Sequence, residues 1–289
     1  MQTIAIIGAS GHVGFRLVKK LSSKYKINCI VRDIDKRDFS EFNNVQIFKV
    51  EDIGNTIDLA KAIDNCHAII NAGYISFAQE ILKAIKINKS SIQHILFTGS
   101  TGIFTKLPSE SADIKRKAEQ FIVNTYTIPY TIIRPTMIYG HKNDKNISRL
   151  SRILKKVLFF PLMGKGDKLL QPVFIDDLVK SYEIALFNNK FYNKSYNIAG
   201  AVPISNKELF QKVANILDKK IIFISFNPYI ISLIIKVLEI FKLKIVSQEQ
   251  IKRFQEDKDI NIGKFVDAFD FIPLSFDAGL IEMKKNKAL

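Results

Sequence analysis

Cysteine is scarce in this chain: of 289 residues, only Cys29 and Cys66 carry thiols. Both lie in apolar, strand-like runs without the spacing of a metal site. That excludes a disulfide-stapled scaffold, predicts buried free thiols in a reducing cytosol, and leaves no metal expected. Low-complexity linkers and internal repeats are also missing, so neither a disordered chain nor a solenoid is expected. No apolar run is long enough to span a bilayer. The most apolar stretch, P-Y-I-I-S-L-I-I-K-V-L-E-I-F at 228–241, is interrupted by Ser232, Lys236 and Glu239, which form one narrow polar stripe on a helical projection. No signal peptide is expected, because the chain enters its first core strand at residue 3. Lys and Arg outnumber Asp and Glu by 43 to 28, a net charge of +15, yet no basic run is interleaved with aromatics. The excess is scattered, which argues against nucleic acid and leaves a diphosphate substrate or a membrane surface as anionic partners.

What is present begins at once. Thr3 to Gly8 is an almost wholly apolar or β-branched run, as expected of a parallel strand buried on both faces. Gly8, Gly11 and Gly14 follow as G-x-x-G-x-x-G, and His12 to Leu21 carries apolar residues at helical spacing. Glycines at a strand-to-helix turn suit dinucleotide binding. Gly8 permits the turn, Gly11 lets backbone approach a pyrophosphate, Gly14 lets the helix pack on the strand, and the N–H groups around Ser10, His12 and Val13 face the phosphates.

The chain then alternates. Strands are expected at 27–32, 45–50, 67–73, 92–100 and 130–135, with helices between them, including one over 110–124. This pattern predicts an α/β, Rossmann-type doubly wound parallel sheet. From residue 141 the rhythm changes. A basic amphipathic helix is expected at 146–158, a glycine-bearing loop at 162–168, and a short strand at 171–178 that runs into a helix capped by Asp176. A further strand is expected at 195–200. Beyond Gly200 the pattern is mostly helical, with capping boxes at Ser205–Glu208 and Ser247–Gln250 and an Asn227–Pro228 helix start. The division expected is a cofactor-binding domain at 1–140, with return segments at about 170–200, and a smaller, mostly helical substrate region at 141–169 and 201–289.

Gly8-x-x-Gly11-x-x-Gly14, Asn71-Ala72-Gly73, Thr98-Gly99-Ser100, Lys115-x-x-x-Glu119, Arg134-Pro135-x-x-x-Tyr139-Gly140 and Val173-Phe174-Ile175-Asp176-Asp177 fall in the order and spacing of the extended and atypical short-chain dehydrogenase/reductases. The chain resembles their NAD-dependent epimerase/dehydratase group, which acts on nucleotide sugars. The segments 247–259 and 269–280 are similar to the branch that includes the NADPH-binding accessory subunit of complex I. The resemblance implies that Ser100 is the catalytic Ser/Thr, with Thr101 beside it. It implies that Lys115 binds the nicotinamide ribose and lowers the pKa of a tyrosine four residues earlier. That position is Ser111. A serine hydroxyl cannot take over the proton transfer of a phenolate unaided, and Tyr74 and Tyr139, on loops at the carboxyl ends of strands, are candidate replacements. From spacing alone, Lys115 could instead form a solvent-facing pair with Glu119.

At the end of the second strand stands Val31-Arg32-Asp33. Arg32 can pair with a 2′-phosphate, Lys36 and Arg37 add charge nearby, and NADP(H) is favoured, although Asp33 keeps NAD(H) open. The resemblance has Asp52 and Ile53 flank the adenine and Asn71, Ala72 and Gly73 line the cofactor. Arg134, Pro135 and Thr136 should border the nicotinamide. The loop His141 to Asn146, in particular Asp144 and Asn146, together with Arg149 and Lys165, could hold a diphosphate. The expected function is oxidation, epimerisation or dehydration of a nucleotide-linked or lipid-linked sugar, as in surface polysaccharide biosynthesis. The protein would be cytoplasmic, with 228–241 as a candidate membrane contact. The other readings are an NADP(H)-binding scaffold or sensor that has lost hydride chemistry with the tyrosine, and a reductase of an unrelated small molecule.

Overall fold

In a computed structural model, residues 1–88, 91–227 and 256–289 are described. The first strand, β1 (Thr3–Ile7), turns Ile4 and Ile6 to one side and Ala5 and Ile7 to the other, and all four are buried. Only a strand covered on both faces can do this. Helix α1 (His12–Leu21) buries Gly14, Leu17, Val18 and Leu21, one stripe at 3.6-residue spacing. The alternation continues with β2 (Lys26–Val31), β3 (Val45–Lys49), α2 (Thr56–Ala62), β4 (Ala68–Asn71), α3 (Ala78–Asn88), β5 (His94–Thr98), α4 (Glu110–Thr125) and β6 (Tyr130–Pro135). Each crossover returns the chain to a parallel neighbour.

The rest of the described chain adds β7 (Ile138–Tyr139), α5 (Ile147–Leu154), β8 (Phe159–Met163), β9 (Leu169–Leu170), β10 (Val173–Phe174), α6 (Ile175–Ala185) and β11 (Lys194–Ile198). Then come β12 (Ile204–Ser205), α7 (Asn206–Ile216), β13 (Ile222–Phe226), α8 (Gly263–Phe269) and α9 (Phe276–Lys285). Seven strands form one parallel sheet in the order β3-β2-β1-β4-β5-β6-β11. The chain winds outward in opposite directions from β1 and β4, which opens a crevice at their carboxyl ends.

Three apolar clusters hold this arrangement. One packs α1, α6 and α8 on the face carrying Ile4 and Ile6, and the second packs α2, α3 and α4 on the face carrying Ala5 and Ile7. The third lies off the sheet, among β7, α5, α7 and α9. Each fully buried Ile or Leu contributes about 1.5–3 kcal/mol, so all three clusters are structural cores in their own right.

The fold departs from the sequence reading in three places. The helix expected at 146–158 ends at Leu154, and 159–163 is a strand because its Phe159 to Met163 pairs with Ile222 to Phe226 of β13. Tertiary pairing here overrides local periodicity. The same pairing, with β12, interrupts the helical pattern beyond Gly200. Asp176 does not cap α6: the N-cap is Phe174, and Asp176 sits in the first turn, 2.6 Å from Arg16 of α1. The capping box at Ser205 forms, with Ser205 Oγ accepting from Glu208 N at 3.1 Å. The segment 228–241 and the boxes at Pro228 and 247–250 lie outside the described residues.

Candidate active site

The turn from β1 to α1 is built as its glycines dictate. Gly8 has φ +77°, and its N–H donates to Ile30 O at 3.0 Å while its carbonyl accepts from Gly11 N at 2.9 Å. A Cβ at Gly14 would lie 2.2 Å from Gly8 O and 2.8 Å from the Ala9 Cα, so only glycine lets α1 approach this closely. Gly11 caps α1 without any side-chain acceptor. The first-turn N–H groups, around His12 and Val13, therefore present an anion-binding end beside Ser10.

Next to this end an arginine and two histidines meet from three distant segments. The His12 and His141 rings lie with centroids 3.8 Å apart, tilted by 38°. The Arg37 guanidinium lies 3.2 Å from His12 Nδ1, 3.3 Å from His141 Nε2 and 5.1 Å above the Phe15 ring. Because His141 Nδ1 accepts from Asn143 N at 3.0 Å, its proton sits on Nε2, which faces the Arg37 donors. Arg37 Nε is buried and has no acceptor among the described residues. Burial first, then the neighbouring cations, lower the His12 pKa below 6.5 and push that of His141 down to about 4. His12 Nδ1 can accept from Arg37, but the His141 Nε2 proton faces the guanidinium and the buried Arg37 Nε has no acceptor among the described residues, an arrangement that fits an anionic oxygen such as a phosphate of a dinucleotide. Arg32 stands exposed just past β2, while Asp33 accepts from Asp35 N and Asp52 from Gly54 N, each within its own turn. Ile53 packs partly into the second cluster.

At the other side of the crevice, Asn71 is fully buried, donating to Tyr74 O at 2.9 Å and accepting from Gly73 N at 3.1 Å. Its side chain thereby shapes the Asn71-Ala72-Gly73 loop at the carboxyl end of β4. The Ser100 hydroxyl accepts from Gly102 N at 3.1 Å, and Thr101 Oγ1 donates to Pro135 O at 3.3 Å. Thr136 donates through its N–H to Ile198 O and through Oγ1 to Gln171 O. These bonds gather Ser100, Thr101, Pro135 and Thr136 at the carboxyl ends of β5, β6 and β11. Arg116 pins the same turn by donating to the carbonyls of Ile103 and Thr105 at 2.7 and 2.9 Å.

One residue before Arg116, Lys115 donates to Ser111 Oγ at 2.6 Å and to Ser111 O at 3.2 Å. The pair with Glu119 does not form. Glu119 is buried and takes three bonds of 2.6–2.9 Å from Arg134, so Arg134 is a structural tie beneath the site. Nothing in the linear spacing signals this partner.

Of the two phenols, Tyr139 belongs to the third core cluster. Its ring packs on Phe174 and Phe276, its hydroxyl lies 3.5 Å from Phe276 O, and it is 0% exposed. Burial drives its pKa upward, away from a phenolate, so Tyr139 is removed as a catalytic candidate. Tyr74 is 74% exposed, with its ring edge-on to Phe77. Asp144 is buried, and it accepts from Asn146 N, Ser148 N and Ser148 Oγ at 2.9–3.1 Å, holding the start of α5. Asn146 donates to Ile138 O at 3.1 Å. Arg149 is exposed on α5, and Lys165 is exposed in the turn between Gly164 and Gly166.

The profile of the NAD(P)H-binding family matches residues 8–154, from the first glycine to the end of α5. The chain belongs to the NAD(P)H-binding family. It is 24% identical to an N-acetyl-alpha-D-glucosaminyl-diphospho-ditrans,octacis-undecaprenol 4-epimerase of Escherichia coli O157:H7 over 252 residues, 75% of this chain and 73% of that one. To the UDP-glucose 4-epimerase of Vibrio cholerae it is 23% identical, over 75% of this chain and 76% of the relative. It is also similar, at 27% identity over 45% of its length and 32% of the other, to the NADH dehydrogenase [ubiquinone] 1 alpha subcomplex subunit 9 of Arabidopsis thaliana. In structure it matches a Bacillus anthracis dTDP-glucose 4,6-dehydratase in complex with NAD, with TM-score 0.74 and 18% identity over 99% of this chain and 98% of that one. This NAD(P)H-binding protein thus has the fold of the sugar dehydratases and epimerases. Among its described residues no helix is long and apolar enough to cross a membrane.

Proposed function

We propose that this protein is an NADP(H)-dependent oxidoreductase, epimerase or dehydratase of a nucleotide-linked or lipid-linked sugar, of the kind used in surface polysaccharide biosynthesis. The observation that carries the chemistry is the 2.6 Å bond between Lys115 and Ser111, residues one helical turn apart. Lys115 holds the position from which a lysine orients a nicotinamide ribose, and Ser111 occupies the place of the tyrosine. The bound cofactor would supply hydride transfer. Ser100 would orient the substrate hydroxyl, Lys115 would supply positive charge, and the shorter Ser111 leaves room for a water or for the phenol of Tyr74 to carry the proton. This arrangement supports slow turnover.

The 2′-phosphate preference rests on Arg32 past β2 and on the acceptor-poor Arg37–His12–His141 cluster. Gly8, Ser10, Gly11, His12, Val13 and Gly14 would hold the pyrophosphate, with Asp52, Ile53, Ala72, Gly73, Pro135 and Thr136 lining the rest. Asn146, Arg149 and Lys165 remain the candidates for the sugar diphosphate. Both 4-epimerases to which the chain is similar carry sugar diphosphate names, one of them lipid-linked, which supports this substrate class and a protein working in the cytoplasm or at the membrane surface. Mass spectrometry of nucleotides and sugar conjugates that copurify with the protein tests it. NADP(H) with a sugar diphosphate is the expected result, and a cofactor with no sugar conjugate favours a sensor.

A further inference from the structure

The ribbon of β8 and β13 breaks the usual rule for a half-exposed sheet. An exposed sheet face is normally polar, and parallel strands apolar on both faces are normally covered on both, whereas this parallel pair is open on one. Here the inward Phe160 and Phe223 pack on the third core, with Phe160 5.1 Å from the Phe210 ring, Leu162 is buried, and Ser225 is the polar residue on that side. The register pairs Ile222 with Phe159, Ile224 with Pro161 and Phe226 with Met163, so the outward face is wholly apolar. Phe159 is 57% exposed and Ile222 58%, and Leu158, at the turn into β8, is 71% exposed. Together they make a contiguous apolar patch of the kind that marks an interaction surface.

The patch has a basic rim. Between Lys145 and Gly166 the chain carries six cations and no acidic residue. Arg152, Lys155 and Lys156 are exposed along α5 and its end, and Arg149, Arg152, Ile153, Lys156 and Val157 line a shallow groove. Ile222 N donates to Leu158 O at 2.9 Å. Because the strands run parallel, Lys155–Lys156 and Lys219–Lys220 stand at the same end of the ribbon.

We infer that this face docks the protein on an anionic lipid bilayer. Apolar side chains flanked by Lys and Arg match the interfacial depth and the negative headgroups of such a surface. A symmetric second copy is disfavoured, since it would set two basic rims against each other. The docking surface goes beyond the sugar reading and stands without it, although it would bring a lipid-linked substrate within reach.

Flotation of the full chain with vesicles tests this, using phosphatidylcholine alone and phosphatidylcholine mixed with phosphatidylglycerol. The expected result is binding to the mixed vesicles only, weakened by salt. Lys156→Gln with Lys220→Gln should lower partitioning more than tenfold, from about fivefold per cation near an anionic surface. Leu158→Ser with Phe159→Ser should abolish binding, and Leu158→Ser alone, in an exposed turn, should weaken it with unchanged melting. Four results would overturn the docking: no binding at low salt, equal binding to neutral vesicles, full binding by the lysine variant, or loss of self-association instead of lipid binding in the variants. NADPH affinity, measured in parallel, should stay constant, which separates this surface from the cofactor reading.

Discussion

The ammonium of Lys115 lies 2.6 Å from the Ser111 hydroxyl, and both side chains project from α4 one turn apart. A tyrosine at Ser111 would carry its phenol several ångströms further, past the point where serine stops. The lysine ammonium is thereby held at the Ser111 hydroxyl, within one turn of the same helix.

Cofactor choice is read first. NADPH should bind more tightly than NADH, and Arg32→Ala should remove about 1–3 kcal/mol of that preference, the range of a charge-assisted hydrogen bond. Arg37→Ala should act in the same direction, because its buried Nε has no acceptor among the described residues. Fluorescence titration of both cofactors checks this. Equal affinities in the unmutated protein would count against both arginines.

The glycine turn gives a steric prediction. Gly14→Ala would put a methyl 2.2 Å from Gly8 O, forcing α1 off β1. Calorimetry should find cofactor binding lost and the melting temperature lowered, with Gly11→Ala milder because its nearest atom is 3.1 Å away.

Stability should fall in acid through His94. It is buried between Thr131 Oγ1, which it faces at 3.0 Å, and Phe187 N, which donates to its Nδ1 at 3.3 Å. Burial pushes its pKa from 6.5 down to about 4. The unfolded chain takes up the proton more readily, so neutral His94 contributes fully above pH 6.5, and that contribution drains as the pH falls toward 4, by about 3 kcal/mol. His141 adds in the same direction. Urea unfolding across this window should show the loss, and His94→Gln, which keeps one donor and one acceptor, should flatten it.

The two tyrosines should part company. Tyr139→Phe removes only a 3.5 Å contact to Phe276 O and should leave turnover within about twofold, as suits a residue outside the reaction. Tyr74→Phe should slow turnover if its exposed phenol carries the proton. Steady-state rates decide between the phenol and a water.

Local signals were legible and distant ones were not. The β1–α1 turn could be read because glycines, strand and helix are contiguous, and the Ser205 cap because its acceptor lies three residues from its donor. The Arg37–His141 contact joins residues 104 apart, and no linear pattern encodes it. Lys115 and Glu119 are correctly spaced for a pair, but Arg134 offers Glu119 a buried bidentate partner from β6, which outcompetes a solvent-exposed ammonium. Tyr139 looked like a loop residue at a strand end. Its two-residue strand β7 pairs with β10 and turns the ring into the third core instead.

Stopped-flow absorbance of reduced nicotinamide, with a panel of nucleotide sugars, reports whether Lys115 and Ser111 stand at a working hydride-transfer site. The natural protein should show a slow redox change with at least one sugar. Ser111→Tyr should accelerate it by about 10²–10⁴, the usual contribution of general acid–base catalysis, with cofactor affinity unchanged. Lys115→Ala should weaken cofactor binding. No redox change with any sugar in either protein, together with unaltered cofactor binding by Lys115→Ala, would rule out sugar redox chemistry at Lys115 and leave a cofactor-binding scaffold.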